Sequence, residues 1–450
     1  MKFIVDAWAW VSKEELTLIQ LQALRETLTV IPKKVGNYPG DEEPKPIKLY
    51  VETETHIGVA REYFLQRRKP EHEVVFKTTT GDKAAWSGPF VFQGELREEQ
   101  SEAVKQVGAW LLTQQAAGGI IRAAPGWGKT VAACALMSAV QVPTLVVVHK
   151  EFLVDQWKQR IETFLPSASI GMVQQDVCDF QDRSVVIAMV HSLVERQYPA
   201  AFYQWPGLVI TDECHRIGAD TWSRVPPKFP ARWRVGFSAT PRRKDGAEAV
   251  FRYHLGPVLF KGKEQRLAVK VRRYHTKFRL VQTDRFNPAL INKSLLLKFL
   301  CAADYRNREI VEQLILAVNA GRKIIVLSER LQHLDLLNQM LLSAWPSNVG
   351  PPPSTGFYVG GMSKETLREA SEARVIFATV QFAAEGLDIP ALDTLFLTTP
   401  MSDVEQAVGR IQRPFEGKKD PVVVDFRDDR VALCKKLGES RDKLYAKIAA

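Results

Sequence analysis

Short runs between residues 118 and 240, GGIIRAA, TLVVVH, SVVIAMV, GLVITDE and RVGFSAT, are apolar at nearly every position instead of every second one. A half-wet antiparallel sheet would alternate. Strands buried on both faces, with amphipathic helical stretches between them, are what a parallel sheet covered by helices on either side requires. The rhythm returns later with KIIVLSE, the helical stretch RLQHLDLLNQMLLSAW, then FYVGG, RVIFAT, DTLFLTTP and PVVVDF, and a closing helix. Two α/β sheets in tandem are expected. Residues 256 to 300 interrupt the rhythm with basic segments such as VKVRRYHTKFRL, read as a linker or bridging hairpin. The first 80 residues mix apolar strands (FIVDAWAWV, IKLYVE, EVVFKTTT) with a helix opened by a Ser12/Glu15 capping box and a second helix ending near Arg68. The expected division is a small α+β N-terminal domain over 1–88, α/β domains over 89–255 and 301–450, and the intervening 256–300.

A chain of 450 residues is long enough to build these cores without disulfides. Its 46% hydrophobic and 25% charged residues match a globular protein and exclude a disordered one. No apolar run approaches the length of a membrane span, and MKFIVDAWAWV carries an Asp and no cleavage site, so a cytoplasmic protein is expected. Five scattered cysteines with no CxxC pair read as reduced structural thiols. The lone histidines His56, His72, His254, His275 and His333 read as polar surface groups. A formal net charge of +10 favours a polyanionic partner, because phosphate backbones reward dispersed Lys and Arg through counterion release. Basic runs such as RRYH (272–275) and QRRK (66–69) are equally consistent with phosphate contacts and with solvated faces.

AAPGWGKT, residues 123–130, follows one apolar run and precedes an apolar helix. That is the setting of a phosphate-binding loop. Gly126 and Gly128 let the backbone wrap a phosphate, Lys129 reaches the terminal phosphates, and Thr130 is placed to ligate Mg²⁺; Pro125 and Trp127 complete the loop. Ala123 stands where the strict pattern has Gly. TDECH, residues 211–215, ends another apolar run, so Asp212 and Glu213 sit at a strand's carboxyl end, where open α/β sheets bind ligands. Asp212 is expected to hold hydrated Mg²⁺ and Glu213 to polarise the attacking water.

With SAT at 238–240, these residues resemble the superfamily 2 helicases, and the resemblance extends over about 90 to 430. LREEQ (96–100) looks like that family's adenine-reading element, with Arg97 and Gln100 at the matching positions. HKEFLVDQW (149–157) resembles its next motif, and VHSL (190–193) the one touching the tracking strand, through His191 and Ser192. GFSATPRRKDG (236–246) is similar to the branch holding UvsW-type phage helicases and the xeroderma B type. ATVQFAAEGLDIP (378–390) resembles the motif in which Gly386 and Asp388 help close the nucleotide site, with Thr379 touching nucleic acid. Ser238, Ala239 and Thr240 would join the nucleotide and nucleic-acid sites.

QAVGRIQR (406–413) reads as a helix opened by a second capping box, Ser402/Glu405, with Gln406, Arg410 and Arg413 on one face and Gly409 keeping that face low. In the family's QxxGRxxR pattern this face meets the γ-phosphate. The resemblance thus implies two RecA-like domains and an ATP- and Mg²⁺-dependent, DNA-stimulated helicase. Forked or junction DNA in replication, recombination or repair is its implied substrate. A monomer with no obligate protein partner is expected. An RNA helicase and a non-hydrolysing ATP-dependent clamp on nucleic acid remain the alternatives; intact Glu213, Arg410 and Arg413 argue against the clamp.

Overall fold

The computed structural model describes residues 1–33, 44–81, 90–124, 126–215, 223–239, 245–263, 267–280, 291–380, 389–402 and 404–449. Pro125, Thr240, Gly386 and Asp388 lie outside them. Contacts divide the chain into two compact units, Met1–Glu264 and Gln265–Ala450.

The first unit begins with strands β1 (Lys2–Val5) and β2 (Trp8–Ser12), a small pair β3 (Thr29–Val30) and β4 (Ile47–Lys48), then β5 (Tyr50–Glu52), β6 (His56–Ala60) and β7 (Glu73–Phe76). Five of them form a mixed sheet in the order β5-β6-β2-β1-β7. Burial in β1 and β2 falls on alternate residues, so one face packs inward. The helix Leu18–Thr27 is capped by Thr17 and Gln20: Gln20 N donates to Thr17 Oγ1 at 3.2 Å and Thr17 N to Gln20 Oε1 at 2.9 Å. The expected Ser12/Glu15 box does not form. Ser12 closes β2 and heads a single 3-10 turn, Lys13–Glu15, while the Glu15 carboxylate accepts from Lys2 N at 2.8 Å.

The parallel sheet of this unit contains β8 (Ala117–Arg122), β9 (Thr144–Val148), β10 (Ile170–Gln174), β11 (Val177–Cys178), β12 (Val185–Met189), β13 (Leu208–Thr211), β14 (Trp233–Ser238) and β15 (Val258–Lys261). Their order is β11-β10-β12-β9-β13-β14-β8-β15, and only the β10/β11 pair is antiparallel. Gly118 in β8 is a packing requirement, since a Cβ there would stand 2.3 Å from the Leu255 carbonyl oxygen. The mixed sheet is not set apart from this lobe. Phe3, Val5, Ala9, Val11, Ile57 and Val59 share one apolar cluster with Ile120, Leu145, Val147, Phe251 and Leu255. Buried arginines tie the two further: Arg234 Nη2 donates to Ala7 O at 2.9 Å and Phe229 O at 2.8 Å, and Arg61 Nη1 to Ala231 O at 2.6 Å.

The second unit holds β16 (Lys270–His275), β17 (Ile324–Ser328), β18 (Thr355–Tyr358), β19 (Val375–Thr379), β20 (Thr394–Leu397) and β21 (Val422–Arg427), in the order β16-β21-β20-β17-β19-β18. Every neighbouring pair is parallel. The α/β class expected from the apolar runs, with RecA-like parallel sheets in tandem and a small α+β N-terminal part, is the observed one. Of the described residues in the stretch 256–300, read as a linker or bridging hairpin, β15 is the edge of the first sheet and β16 the edge of the second. Three of the four basic residues of β16 are matched by acids, Arg273 with Asp442 at 2.8 Å, His275 with Asp429 at 2.7 Å and Lys270 with Asp420 at 3.3 Å. A charged edge strand also discourages strand addition. In QRRK, Arg67 lies over the Tyr63 ring at 4.2 Å and Arg68 over Phe76 at 6.0 Å.

Two histidines expected at the surface are core groups, His254 at 1% and His333 at 2% exposure. Asn307 Nδ2 donates to Cys301 O, so its Oδ1 accepts from His333 Nε2 at 3.0 Å; Ser328, which takes the Arg330 amide, donates to His333 Nδ1 at 3.1 Å. His333 is thereby held neutral, with its proton on Nε2. Burial, with Arg306 nearby, pushes its pKa down to about 3; burial with Arg234 and Arg61 does the same for His254. A depressed histidine pKa means that the unfolded chain takes up protons first as pH falls below about 6.5. Stability supplied by the neutral rings is complete above that pH and is lost towards pH 3. At pH 5 the expected loss is about 2 kcal/mol per ring. Urea unfolding at pH 7.5 and 5.0 checks it: His254→Gln and His333→Gln should each flatten the pH slope, and slopes equal to that of the unaltered protein would refute the assignment.

Candidate nucleotide-binding site

Parallel strands deliver their carboxyl ends to one edge, and in the first unit that edge collects the chemistry. β8 runs into the phosphate loop, β13 into Asp212 and Glu213, β14 ends at Ser238, and β9 and β12 lead to His149 and to the helix Val190–Glu195. The helix Lys129–Val140 starts at Gly128, which sits in the left-handed region at φ 89°, ψ 40° with no side-chain cap bond and no acidic residue in the first turn. Its first N–H groups are therefore left for an anion. The helix is apolar on most sides because it is buried, including Ala132, Ala133, Cys134, Leu136 and Met137.

Arg97 and Gln100 open the helix Glu98–Thr113. Gln100 Nε2 donates to Trp127 O at 2.8 Å, its Oε1 accepts from Arg97 N at 2.9 Å, and the Arg97 guanidinium donates to the same Trp127 carbonyl and to Gly126 O at 3.4 Å. These two residues hold the loop's own backbone, with the same donors and acceptor that an adenine edge would need. Trp127 is packed at 7% exposure, its ring near Phe260 at 6.1 Å and its Nε1 donating to Glu99 Oε2 at 2.9 Å.

Lys129 Nζ pairs with Glu213 Oε1 at 2.9 Å. Glu213 has φ 47°, a left-handed backbone that costs a non-glycine residue about 1–3 kcal/mol. Its N–H donates to Asp212 Oδ1 at 2.9 Å, and Trp157 Nε1 donates to Asp212 Oδ2 at 3.0 Å. Burial alone would raise the Glu213 pKa, but Lys129, His215 and His149 outweigh it and hold the carboxyl down to about 2. Burial and the Glu213 charge push Asp212 the other way, upward. An ionised Glu213 is in the state a proton acceptor requires. His215 Nδ1 lies 3.0 Å from Ser238 Oγ and 3.4 Å from Glu213 Oε2, so the histidine stands between the strand-end carboxylates and the end of β14. The oxygen donors of Thr130 and Asp212 suit a hard divalent cation, and a buried carboxylate with a raised pKa would gain from one. No cluster of three or more His, Cys, Asp or Glu able to hold a metal occurs among the described residues.

His191 is exposed, whereas Ser192 is buried and accepts from Gln175 N at 2.9 Å. In the second unit Thr379 closes β19 opposite Ser328 of β17. Gln406 and Arg410 lie on the helix Glu405–Ile411. The expected Ser402/Glu405 box is not the cap: Val404 occupies the N-cap position at φ −123° and makes no side-chain cap bond. The helix also ends at Ile411, which puts Arg413 in the turn beyond it. That turn is framed on several sides. Leu267 N donates to Gln412 O at 2.9 Å, Gln412 Nε2 to Leu267 O at 3.0 Å, and Lys418 Nζ to Arg413 O at 2.8 Å and Pro390 O at 2.9 Å. Before the helix, Arg441 donates to Met401 O while pairing with Asp425 at 2.8 Å. Lys418, Arg441 and Trp157 were not singled out from the sequence, because each acts through a partner distant in the chain.

The family described as Type III restriction enzyme, res subunit, matches residues 93–243. A protein of Acanthamoeba polyphaga mimivirus, named as an ATP-dependent RNA helicase, is 29% identical over 444 residues, covering 95% of this chain and 82% of that one. A similarly named protein of African swine fever virus (isolate Tick/Malawi/Lil 20-1/1983) is 24% identical over 72% of this chain and 67% of its own. A helicase of Escherichia phage T5 is 25% identical, with 68% and 67% covered. Among solved structures, T4 UvsW is 14% identical and spans 100% of this chain and 98% of its own, at a TM-score of 0.40. No helix among the described residues is long and apolar enough to cross a membrane.

Proposed function

We propose that this ATPase of the superfamily 2 helicase type is a DNA translocase that unwinds or branch-migrates forks and junctions. The observation that carries the ATPase part is the Lys129–Glu213 pair, 2.9 Å apart beside an uncapped helix start. It puts a phosphate-seeking cation and a proton-accepting carboxylate in one place. Paired in this way, each neutralises the other. When ATP binds, its phosphates draw Lys129 and the loop amides, and Glu213 is released, ionised, to orient and deprotonate the attacking water. Thr130 and Asp212 would hold Mg²⁺, whose charge would offset the negative charge developing on the transferred phosphoryl group. Arg97 and Gln100 face the adenine end, and Gln406, Arg410 and Arg413 act on the γ-phosphate. The His215–Ser238 contact carries the nucleotide state towards the segment that touches nucleic acid, with exposed His191 the contact in the first unit, buried Ser192 holding the Gln175 amide behind it, and Thr379 the position assigned to the same task in the second unit.

DNA as the track is supported by GFSATPRRKDG, the sequence segment most like the DNA-acting branch. RNA is the second reading, favoured by the names of the mimivirus and African swine fever virus relatives, both called RNA helicases. The test measures ATP turnover and strand separation on linear, forked and four-way DNA and on matched RNA, with Lys129→Ala as the inactive reference. DNA should raise turnover at least about tenfold, with forks and four-way junctions separated fastest. Equal turnover with and without nucleic acid would remove the motor, and preference for RNA would move the enzyme to the second reading.

A further inference from the structure

Trp157 lies midway along the helix Glu151–Phe164, whose Leu153, Val154 and Ile161 face the first parallel sheet, and it is 2% exposed. A tryptophan so placed brings a large apolar body and one N–H that must find an acceptor. Of the many carbonyls that serve buried indoles, none is used. The N–H goes to Asp212 Oδ2 at 3.0 Å, across 55 residues of chain. The other oxygen, Oδ1, accepts from the Glu213 amide at 2.9 Å. One bond comes from the adjoining residue and one from a separate helix, so both the plane and the rotation of the carboxylate are fixed.

We propose that Trp157 is a positioning residue for the divalent cation that accompanies ATP. An ionised carboxylate offers about four acceptor positions, so after these two bonds it retains lone pairs for a cation or its water. The indole decides which way they point. Without it the Asp212 carboxylate can turn about its side-chain torsions, and the cation meets a mobile ligand. Groups that orient a metal ligand in this way typically contribute about 10- to 100-fold in metal affinity. The inference rests on the ATPase reading given above.

Trp157→Phe keeps most of the apolar body and removes the donor. Benzothienylalanine at position 157 removes it with the bicyclic shape retained, and serves if the phenylalanine variant folds poorly. Full-length protein is titrated with Mn²⁺ alone, followed by electron paramagnetic resonance, and with a non-hydrolysable ATP analogue in EDTA and in graded Mg²⁺. The expected result is unchanged analogue affinity in EDTA for both variants, with some loss of melting temperature for Trp157→Phe from the space left by the smaller ring and little or none for the benzothienylalanine variant. Against that background, the midpoints for Mn²⁺ binding and for the Mg²⁺ effect rise about 10- to 100-fold, and kcat is largely restored at saturating Mg²⁺. Unchanged metal midpoints overturn the inference. So does a fall in stability and EDTA affinity with no shift in those midpoints, which would make Trp157 a core residue whose N–H merely takes the nearest acceptor. If the unaltered protein binds the analogue no better in Mg²⁺ than in EDTA, the metal-dependent ATPase reading itself fails, and the role of Trp157 with it.

Discussion

Arg413→Ala is expected to leave ATP bound with near-normal affinity and to slow its hydrolysis by at least about 10²-fold. The phosphoryl group in flight carries its charge on equatorial oxygens, and a guanidinium brought to them can contribute about 10³ to 10⁵ in rate, roughly 4–7 kcal/mol of transition-state stabilisation. A contact made mainly in the transition state appears in kcat; one made equally in the ground state appears in affinity. Arg413 is not on the helix proper but in a turn whose backbone is clamped by Leu267 and by Lys418. Lys418, whose pKa burial pushes down to about 8, spends its ammonium on two backbone carbonyls rather than on a carboxylate, which is the behaviour of a brace. Arg413→Lys should restore little, since a point charge cannot reproduce the planar fork. Single-turnover hydrolysis beside equilibrium nucleotide binding separates the possibilities. A loss confined to affinity would reduce Arg413 to a phosphate anchor.

Both parallel sheets were legible because a strand buried on two faces leaves a continuous apolar run, and the phosphate loop and strand-end carboxylates because their spacing is local. What failed was local in pattern but decided by distant groups. Two Ser/Thr-x-x-Glu/Gln boxes lie five residues apart near the start of the chain, and sequence alone does not say which opens the helix. Thr17/Gln20 does, because the Lys2 amide at the head of β1 captures Glu15. The buried histidines did leave a signal: His254 shares a helical face with Val250, Phe251 and Leu255, and His333 with Leu334, Leu337 and Leu341. Reading each histidine singly, apart from its period, concealed it. The bond from Trp157 to Asp212 left no signal at all, since an indole in an apolar stripe reads as core whether or not its N–H has a task.

The division of the first unit is where pattern and packing part most, and it sets the second large effect: a chain starting near residue 79 is expected not to fold its ATP-binding lobe. The mixed sheet reads as a separate piece because its strands are short and bury alternate residues, whereas the strands that follow are apolar throughout. Yet its inward residues Phe3, Val5, Ala9 and Val11 belong to the same apolar cluster as β8 and β9 of the parallel sheet. Removing it would expose that cluster and orphan buried polar groups at once. Arg234, on the strand that ends at Ser238, loses Ala7 O, and Arg61 is removed from Ala231 O. The graded version is Arg234→Ala, which strands the carbonyls of Ala7 and Phe229 in a dry interior. At about 1–3 kcal/mol for each unsatisfied buried acceptor, it should cost at least about 2 kcal/mol, a large share of the roughly 5–15 kcal/mol that holds a domain together. Urea unfolding of the full chain measures that loss, and a change within about 0.5 kcal/mol would show that the guanidinium is dispensable. A truncated protein that is monomeric, unfolds cooperatively and turns over ATP normally would show the mixed sheet to be an independent body. Otherwise the task of residues 1–78 has to be sought by exchanging their exposed side chains, with the shared core intact.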